Sequence, residues 1–405
     1  MAEHAANGAG GAEQGPSPAL LSVVGIATGA LVANLYYAQP LLAAIGPEIG
    51  IRPDLAGTVV STTQVGYGLG LLLLVSLADL VENKRLVLTL LVGTVLALVA
   101  AASSNQAIVF FIASFVIGVC STGAQVLIPF VVHLVPPERR GRTVGNVMSG
   151  LLTGIMLARP LALFIAAALS WRSVFWLSAV VMIAIGLLLG RMMPRYQPAG
   201  GVNYGRNLVS MVGLLRNTPV LQRRAAYQAL MFGAFNMFWT AVPLMLADRF
   251  GLSQQGIAFF ALAGAGGALA APLAGRLADR GWIQATTFGS MALLGLCFYG
   301  TSWAEAGGAL AVLVVLTIIL DASVQGNQVV SQRLIFSLPA EIRGRLNALY
   351  MTFTFLGGAV GSTIGAASYH WGGWNATATI GGLIGVAMLM LFATELRKPR
   401  VSKAA

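Results

Sequence analysis

The sequence predicts an all-α membrane protein with 12 transmembrane helices in two pseudo-symmetric six-helix bundles. Three observations predict this fold class: the composition, the number and length of the apolar segments, and a repeat that relates the two halves. Hydrophobic residues make up 57% of the 405 residues and charged residues only 9%, whereas a soluble domain carries about 25% charged residues. So little polar surface cannot cover a soluble globule of this length. The apolar runs are long and unbroken, which disfavours the short alternating strands of a membrane barrel.

Twelve apolar segments are each close to the roughly 20 residues that a helix needs to cross a bilayer. We place them at 19–45, 55–78, 86–104, 107–134, 143–169, 172–193, 223–247, 255–278, 282–303, 308–332, 346–369 and 374–394. Residues 1–18 lack the basic start of a signal peptide and are predicted to be a disordered tail. The only long linker is 194–222, and 396–405 forms a second tail. The predicted domains are therefore an N-terminal bundle, 19–193, and a C-terminal bundle, 223–395.

The basic residues indicate the orientation of the chain in the membrane. The formal net charge is +11, but the basic residues are scattered among short linkers, which does not indicate a nucleic-acid partner. Most Lys and Arg residues lie in the tails and in the linkers that follow even-numbered segments, and only Arg52, Arg172 and Arg249 lie on the other side. By the positive-inside rule, both termini and the long linker are predicted to be cytoplasmic.

The two halves of the sequence repeat each other. Residues 137–142 (PERRGR) lead into segment 5, and residues 340–345 (AEIRGR) lead into segment 11. Met148 and Met351 follow these two runs at the same distance. Because each half spans six segments and has the same topology, the repeat predicts two bundles related by an axis along the membrane normal.

Two charged residues fall well inside the predicted spans, Arg159 in segment 5 and Asp321 in segment 10. A charge at this depth is costly, so a partner or access to water is expected. We hypothesise that the two residues face each other across a central cavity and act as a coupling or gating pair. Protonation of Asp321, or an anionic substrate group bound by Arg159, would break the pair and favour another access state. The alternatives are a static ion pair or two separately solvated charges.

Polar side chains on several segments complete the predicted cavity. Gln325, Gln328 and Gln332 follow Asp321 at i+4, i+7 and i+11 and therefore share its helix face; Gln332 is near enough to the end to be merely solvated. Amides and phenols can hydrogen-bond polar substrates, and rings offer flat apolar contact. For any single residue, an interhelical hydrogen bond is the alternative interpretation. The predicted cavity residues outside segment 10 are Asn34, Tyr37, Gln39, Gln64, Tyr67, Gln125, Asn236, Trp239, Tyr350 and Phe353.

The turn after segment 8 carries the run Gly275–Gly281 (GRLADRG). It resembles motif A of the major facilitator superfamily, and the resemblance implies a latch between helix ends. The first-half copy departs from the motif, because Val75 replaces the glycine and Leu80 the basic residue after the aspartate. The alternative role of both turns is to set the topology alone. The predicted latch residues are Asp79, Lys84, Arg85, Gly275, Asp279 and Arg280.

The whole chain resembles the major facilitator superfamily in its segment number, its repeat, its long central linker and its motif A positions. The runs 34–42, 64–74 and 345–351 resemble a bacterial branch of arabinose-efflux-permease-like and drug/proton antiporter-like proteins. This resemblance implies a secondary active transporter in the bacterial cytoplasmic (inner) membrane, working by alternating access, with proton-coupled efflux of a drug, sugar or metabolite as the leading direction. The antiporters carry an arginine in segment 4 where this chain has Ser114, so their proton relay cannot be carried over unchanged.

Other functions remain open or are disfavoured. Uptake or facilitated diffusion of a small polar solute is the alternative. A polytopic membrane enzyme or sensor is less favoured, because no nucleophile–base or metal cluster is visible. His4, His133 and His370 are isolated, and Cys120 and Cys297 lie far apart in apolar runs. We expect no cofactor and no metal, with the proton gradient as the energy source. The expected partners are a small-molecule substrate and the lipid bilayer, and the chain is expected to function as a monomer.

Overall fold

The computed structural model describes residues 17–78, 80–197, 203–268 and 270–396, and every regular element among them is helical. This confirms the predicted all-α fold class. Most of the predicted tail 1–18, the motif residue Asp79, the middle of the linker and residues 397–405 lie outside the described residues.

The helices run in chain order, with short 3₁₀ turns at Gln39–Leu41, Pro53–Leu55 and Ala340–Ile342. They are α1 (Pro18–Ala33), α2 (Leu42–Ile49), α3 (Gly57–Leu77), α4 (Asn83–Ser103), α5 (Ala107–Ser121), α6 (Gly123–Leu134), α7 (Pro137–Ala168), α8 (Trp171–Met192), α9 (Tyr204–Asn217), α10 (Pro219–Phe250), α11 (Gln254–Ala261), α12 (Ala263–Ala268), α13 (Ala270–Asp279), α14 (Ile283–Ala306), α15 (Leu310–Phe336) and α16 (Arg343–Leu396).

Nine helical stretches in the described part of the chain are long and apolar enough to cross a membrane. One of them, α16, has 54 residues, and non-helical backbone at Gly372 and Gly373 divides it. At 16 residues, α1 is shorter than these nine, and α14 is not among them. The number of spans in the structure, to be compared with the predicted twelve, therefore depends on whether α1 and α14 are counted as spans and whether α16 is counted as one span or as two.

The first predicted segment, 19–45, is not one continuous helix. Helix α1 ends at Ala33, residues 34–38 form turns, and the 3₁₀ turn Gln39–Leu41 leads into α2. The amide of Tyr36 bonds back to the carbonyl of Ala33 rather than continuing the α-helical ladder. Non-helical backbone at membrane depth is tolerated where it is buried in protein or lines a cavity. The break delivers Tyr36 and Gln39 to the centre of the molecule.

The helices of each half pack mainly against one another. In the first half α1 packs on α7 and α3 on α5, and in the second half α10 packs on α16 and α14 on α15. Contacts between the halves are made chiefly by α3 with α16 and by α7 with α11. Glycines allow the close crossings: Gly29 of α1 faces Gly150 of α7, and Gly233 of α10 faces Gly361 of α16. Small residues at such positions let helix backbones approach closely.

Replacing Gly361 with valine should strongly destabilise the protein. A side chain at this position would collide with the backbone of Gly233, which cannot move aside as a flexible side chain could. We expect a loss of about 3 kcal/mol in the free energy of unfolding, seen as a lower Tm and less monodisperse protein after detergent extraction. Gly289→Val in α14 is the control, because a Cβ there meets nothing within 4 Å. Equal Tm values for the two variants would contradict the close crossing.

One end of the molecule, here called the basic face, carries α9 and the starts of α4, α10 and α16. Helix α9 lies across this end and contacts both halves: Tyr204 Oη donates to the carbonyl of Leu73 at 3.1 Å, and Arg345 Nη1 donates to Ser210 Oγ at 2.6 Å. The long linker is therefore partly a packed helix.

The other end, here called the opposite face, carries α2. There Arg172, at the start of α8, hydrogen-bonds and pairs with Glu48 of α2. This guanidinium holds the pKa of the Glu48 carboxyl below its usual range. The pair ties α2 to the rest of the first half.

Candidate functional site

A cavity of about 320 Å³ lies between the two halves and contains both intramembrane charges. Its inner end is formed by Tyr36, Arg159 and Asp321. Its outer end reaches Gln332 and Asn347, which lie only a few residues from the basic-face ends of α15 and α16. The cavity therefore extends from the middle of the molecule to the basic face.

Arg159 of α7 is only 5% exposed and sits among aromatic rings. Its Cζ atom lies 4.8 Å from the ring centroid of Tyr36, 5.2 Å from that of Phe235 and 4.7 Å from that of Trp239. Such contacts stabilise a cation through the electrons of the ring face. Its Nε donates to Gln39 Oε1 at 3.0 Å. Its Nη2 is buried without a hydrogen-bond partner among the described residues.

Asp321 of α15 is 7% exposed, and its Oδ1 accepts a hydrogen bond from Trp239 Nε1 at 3.0 Å. Glycines of α12 make room for it. A Cβ added at Gly264 would lie 2.9 Å from Asp321 Oδ2, and one added at Gly267 would collide with the Asp321 side chain. The carboxylate is thus held between an indole N–H and a glycine-lined helix surface.

Arg159 and Asp321 line the same cavity, but the ion pairs of the described residues do not include them. Trp239 stands between them, with its ring facing the guanidinium and its N–H bound to the carboxylate. The direct pair assumed by the hypothesis is not formed in this structure, because the rings and Gln39 occupy the surroundings of the guanidinium.

A buried polar network closes the inner end of the cavity; it consists of Gln39, Gln64, Asn236 and Thr240 and is here called the seal. Gln39 Nε2 donates to Asn236 Oδ1 at 3.3 Å and to Thr240 Oγ1 at 3.1 Å. Gln64 Nε2 donates to Asn236 Oδ1 at 2.6 Å. The network joins the first half to α10 of the second half, and Gln39 links it to Arg159.

Beyond the seal lies a second cavity, of about 220 Å³. Gln39, Thr240 and Leu163 line it, together with residues at the opposite-face end of α10. Two further contacts join the halves: Ser61 Oγ lies 2.7 Å from Thr363 Oγ1, and the rings of Phe164 and Phe259 meet edge to face at 5.2 Å between centroids. The seal therefore separates a cavity on the basic face from one on the opposite face.

Four of the predicted cavity residues line the main cavity: Tyr67, Gln125, Gln325 and Gln328. Gln125 Nε2 donates to Tyr67 Oη at 3.2 Å, so these two are also an interhelical pair. Gln332 lines its outer end. Gln39, Gln64 and Asn236 lie in the seal, and Trp239 bridges the two charges. The predicted polar residues thus lie near the site, but those of the seal and Trp239 lie behind the cavity surface and do not line the cavity.

The other four predicted residues lie elsewhere. Asn34 Oδ1 accepts from Ser178 Oγ at 2.6 Å within the first half, which is the interhelical alternative. Tyr37 packs against the apolar core. Tyr350 and Phe353 belong to an apolar cluster beneath α9 near the basic face. These four do not line the main cavity.

Several lining residues were missed by the sequence prediction, among them Tyr36, Phe235, Met148 and Met351. Tyr36 was missed because the helical register cannot be followed past the break after Ala33. Phe235 lies four residues before Trp239 on the same face of α10, which is a signal that could have found it. The two methionines occupy equivalent positions of the repeat and face the same cavity.

The second-half latch residues lie on the basic face. Asp279, at the end of α13, pairs with Arg333 near the end of α15 in the same half. Arg280 forms no ion pair with a described carboxylate, and a Cβ at Gly275 would meet nothing within 4 Å. The observed pair joins two helix ends of one bundle, so a latch role stays a prediction.

The first-half latch residues also make contacts within their own half. Lys84 Nζ donates to the carbonyl of Met193 at the end of α8, at 2.7 Å, and Arg85 Nε pairs with Glu82 Oε2 at 3.0 Å. Asp79 lies outside the described residues. These contacts fasten the start of α4 to the end of α8.

The family model of the Major Facilitator Superfamily matches residues 24–335. The chain is 37% identical over 377 residues to a protein of Escherichia coli O157:H7 named "Uncharacterized transporter YgaY", covering 93% of this chain and 95% of the relative. It is 33% identical to the "Probable transporter SCO4007" of Streptomyces coelicolor, over 91% of this chain and 86% of the relative. The fold is similar to a solved D-xylose–proton symporter, with a TM-score of 0.75 at 15% identity, over 92% of this chain and 97% of that one.

Proposed function

Since this chain belongs to the Major Facilitator Superfamily and is a membrane transporter, we propose that it exports a small amphipathic molecule in exchange for protons. The observation that carries the proposal is the placement of Arg159 and Asp321. They lie in different halves, at the inner end of a cavity that reaches one face and is sealed from the other. Ionisable residues at membrane depth commonly mark a substrate or proton pathway.

The topology that fits this function has the basic face in the cytoplasm of a bacterial cell and the opposite face outside the inner membrane. The distribution of Lys and Arg supports this orientation. Counting α1 and α14 as spans besides the nine, and dividing α16 at Gly372 and Gly373, gives twelve spans. We assign six to a bundle at 19–193 and six to a bundle at 223–395. No cofactor is required in this scheme, and one copy of the chain suffices.

Alternating access follows from the arrangement of the cavities. In the observed arrangement the main cavity reaches the basic face, and the seal blocks the path to the second cavity. Rocking of the two halves would break the seal and open the central site to the opposite face. Asp321 takes up a proton from that side and releases it towards the cytoplasm, while substrate moves the other way.

A growth-inhibition panel of drugs, sugars and amino acids tests the proposal in cells with and without overexpression. We expect overexpression to raise the inhibitory concentration of at least one amphipathic compound, because export lowers its concentration in the cell. A protonophore should remove the difference, since it dissipates the driving force. The Tyr37→Phe variant is altered outside the cavity lining and is the positive control, because it should protect cells as well as the unaltered protein does. Increased sensitivity on overexpression would instead indicate uptake, and protection that survives the protonophore would contradict proton coupling.

A further inference from the structure

The charge of the main cavity restricts what it can bind. Among the described residues that line it, only Arg159 and Asp321 carry charge. When both are ionised, the site is neutral overall. A ligand with a net charge would leave one charge unbalanced in a buried site, and an unbalanced buried charge is costly. The charge balance therefore favours a ligand whose net charge is zero.

The free polar atoms of the site specify the polar end of such a ligand. Arg159 Nη2 is a buried donor without a partner among the described residues. Asp321 Oδ1 already accepts from Trp239, whereas its Oδ2 accepts no hydrogen bond from a described side chain. The inner end of the cavity thus offers donors on the guanidinium of Arg159 and an acceptor at Asp321 Oδ2, on either side of Trp239. A buried polar atom without a partner loses free energy, so a ligand that satisfies both gains from both.

The rings restrict the direction of approach. Tyr36, Phe235 and Trp239 lie around the guanidinium of Arg159 at 4.7–5.2 Å. A ligand oxygen therefore has to approach the guanidinium between the rings. The remaining lining includes apolar side chains such as Leu152. An apolar or aromatic body fits against these walls, because such surfaces exclude water.

We propose that the cavity selects net-neutral molecules whose polar end pairs a hydrogen-bond acceptor for Arg159 with a donor for Asp321, as an amide on an aromatic body does. This inference rests on the proposed function, since it names the substrate class of the same cavity. An amide carbonyl would accept from the guanidinium of Arg159 while the amide N–H donates to Asp321 Oδ2.

In molecules whose Asp321 carries a proton, binding of such a ligand expels that proton. In the protonated form the carboxyl carries an O–H and is a poorer acceptor, and Arg159 is left without a counter-charge. The amide N–H therefore binds the ionised form, and the proton passes to water in the cavity. Substrate and proton thus compete for Asp321, which is what an exchange of one for the other requires.

The surroundings of Asp321 contain few other groups that can titrate. From α7 it faces Arg159, from α10 Trp239, and across the cavity the phenols of Tyr36 and Tyr67. Helix α12 presents glycine backbone. The described parts of α13, α14 and α16 place no acidic or basic side chain in the cavity lining. Proton release on binding is therefore assigned to Asp321.

Three probes that share one aromatic body test the inference on the purified full chain in detergent. Phenylacetamide is neutral and carries an acceptor and a donor, phenylacetate carries an acceptor and a negative charge, and phenethylammonium carries donors and a positive charge. At a pH at which Asp321 is ionised, we expect phenylacetamide to bind at least about tenfold more tightly than either ion, measured by calorimetry. At a lower pH, at which part of the protein is protonated at Asp321, a pH-indicator dye in weak buffer should report proton release with phenylacetamide.

Two variants should change which of the three probes binds most tightly, rather than abolish binding. Asp321→Asn leaves the site with a net positive charge, so phenylacetate should become the preferred probe and proton release should cease. Arg159→Gln leaves it with a net negative charge, so phenethylammonium should become preferred. A misfolded variant would bind none of the probes and cannot imitate this exchange. Tyr37→Phe, outside the cavity lining, should behave like the unaltered protein.

Several outcomes would overturn the inference. These are a preference of the unaltered protein for either ion, an unchanged preference in both charge variants, or no binding of any probe at about 10 mM, the weakest affinity expected for a ligand of this size. The measurement needs no gradient. If the predicted binding pattern appears but the growth panel shows no protection, only the proposed export is refuted.

Discussion

Asp321→Asn should reduce proton-driven transport to the level of membranes that lack the protein. Asparagine has nearly the same shape and its Oδ1 can still accept the N–H of Trp239, which lies 3.0 Å from the aspartate oxygen. It cannot bind and release a proton. The measurement is substrate-induced proton movement in inverted membrane vesicles, followed with a pH-sensitive dye, using a compound from the growth panel.

The control for this variant lies on the same helix. Ser323 bonds to the carbonyl of Leu320 within α15 and does not line the cavity, so Ser323→Ala should keep the transport of the unaltered protein. Size-exclusion profiles and Tm values of the two variants should agree, which separates a coupling defect from misfolding. Undiminished proton movement in Asp321→Asn would remove Asp321 from the coupling step.

Gln39→Ala should open the opposite face of the transporter. Gln39 accepts from Arg159 and donates to Asn236 and Thr240, and all four side chains are buried. Alanine leaves several of these polar groups without partners, at a cost of about 1–3 kcal/mol each, and this cost falls on the sealed state. A shift of 1.4 kcal/mol changes a population ratio about tenfold. We therefore expect the free energy of the sealed state, relative to the open state, to rise by at least about 1.4 kcal/mol.

Labelling of a buried cysteine measures the opening. Leu163 lines the second cavity and is 1% exposed, so Leu163→Cys reports access from that side. A membrane-impermeant maleimide added outside intact cells should label it about tenfold faster when Gln39→Ala is also present. Asn34→Ala is the matched control, because it removes a buried amide that bonds to Ser178 within one half. If Leu163→Cys is labelled at the same rate with Gln39→Ala as with Asn34→Ala, the seal does not depend on Gln39.

The overall fold could be predicted from the sequence because lipid imposes strong constraints. Only helices or closed barrels satisfy backbone hydrogen bonds inside a bilayer, so long apolar runs determine the fold class. The same constraint makes Arg159 and Asp321 the candidates for a functional site, since charges at this depth are rare and costly. The irregular stretch after Ala33 was not predicted, because it is stabilised by contacts with other helices and has no composition of its own that differs from the run around it.

The finer arrangement of the site depends on contacts between distant residues. Gln39 and Asn236 are 197 positions apart, and their pairing appears only when the halves are assembled. A buried amide needs a partner, but the sequence does not say whether that partner is a substrate, a residue of the same half, as for Asn34, or one of the other half, as for Gln39. For the same reason the position of Trp239 between Arg159 and Asp321 could not be predicted, although all three were predicted to be site residues.

Met148 and Met351, the repeat-related methionines that border the main cavity, bear on how many compounds one binding site can accept. Methionine is unbranched, flexible and polarisable, so it adapts to surfaces of different shape. Adaptable side chains therefore line the cavity from both halves, whereas the inner end, with its guanidinium and its carboxylate, makes fixed demands. A transporter built in this way would discriminate sharply between head groups and tolerate variation in the rest of the molecule. That combination suits a protein exposed to a changing set of related compounds better than one dedicated to a single metabolite.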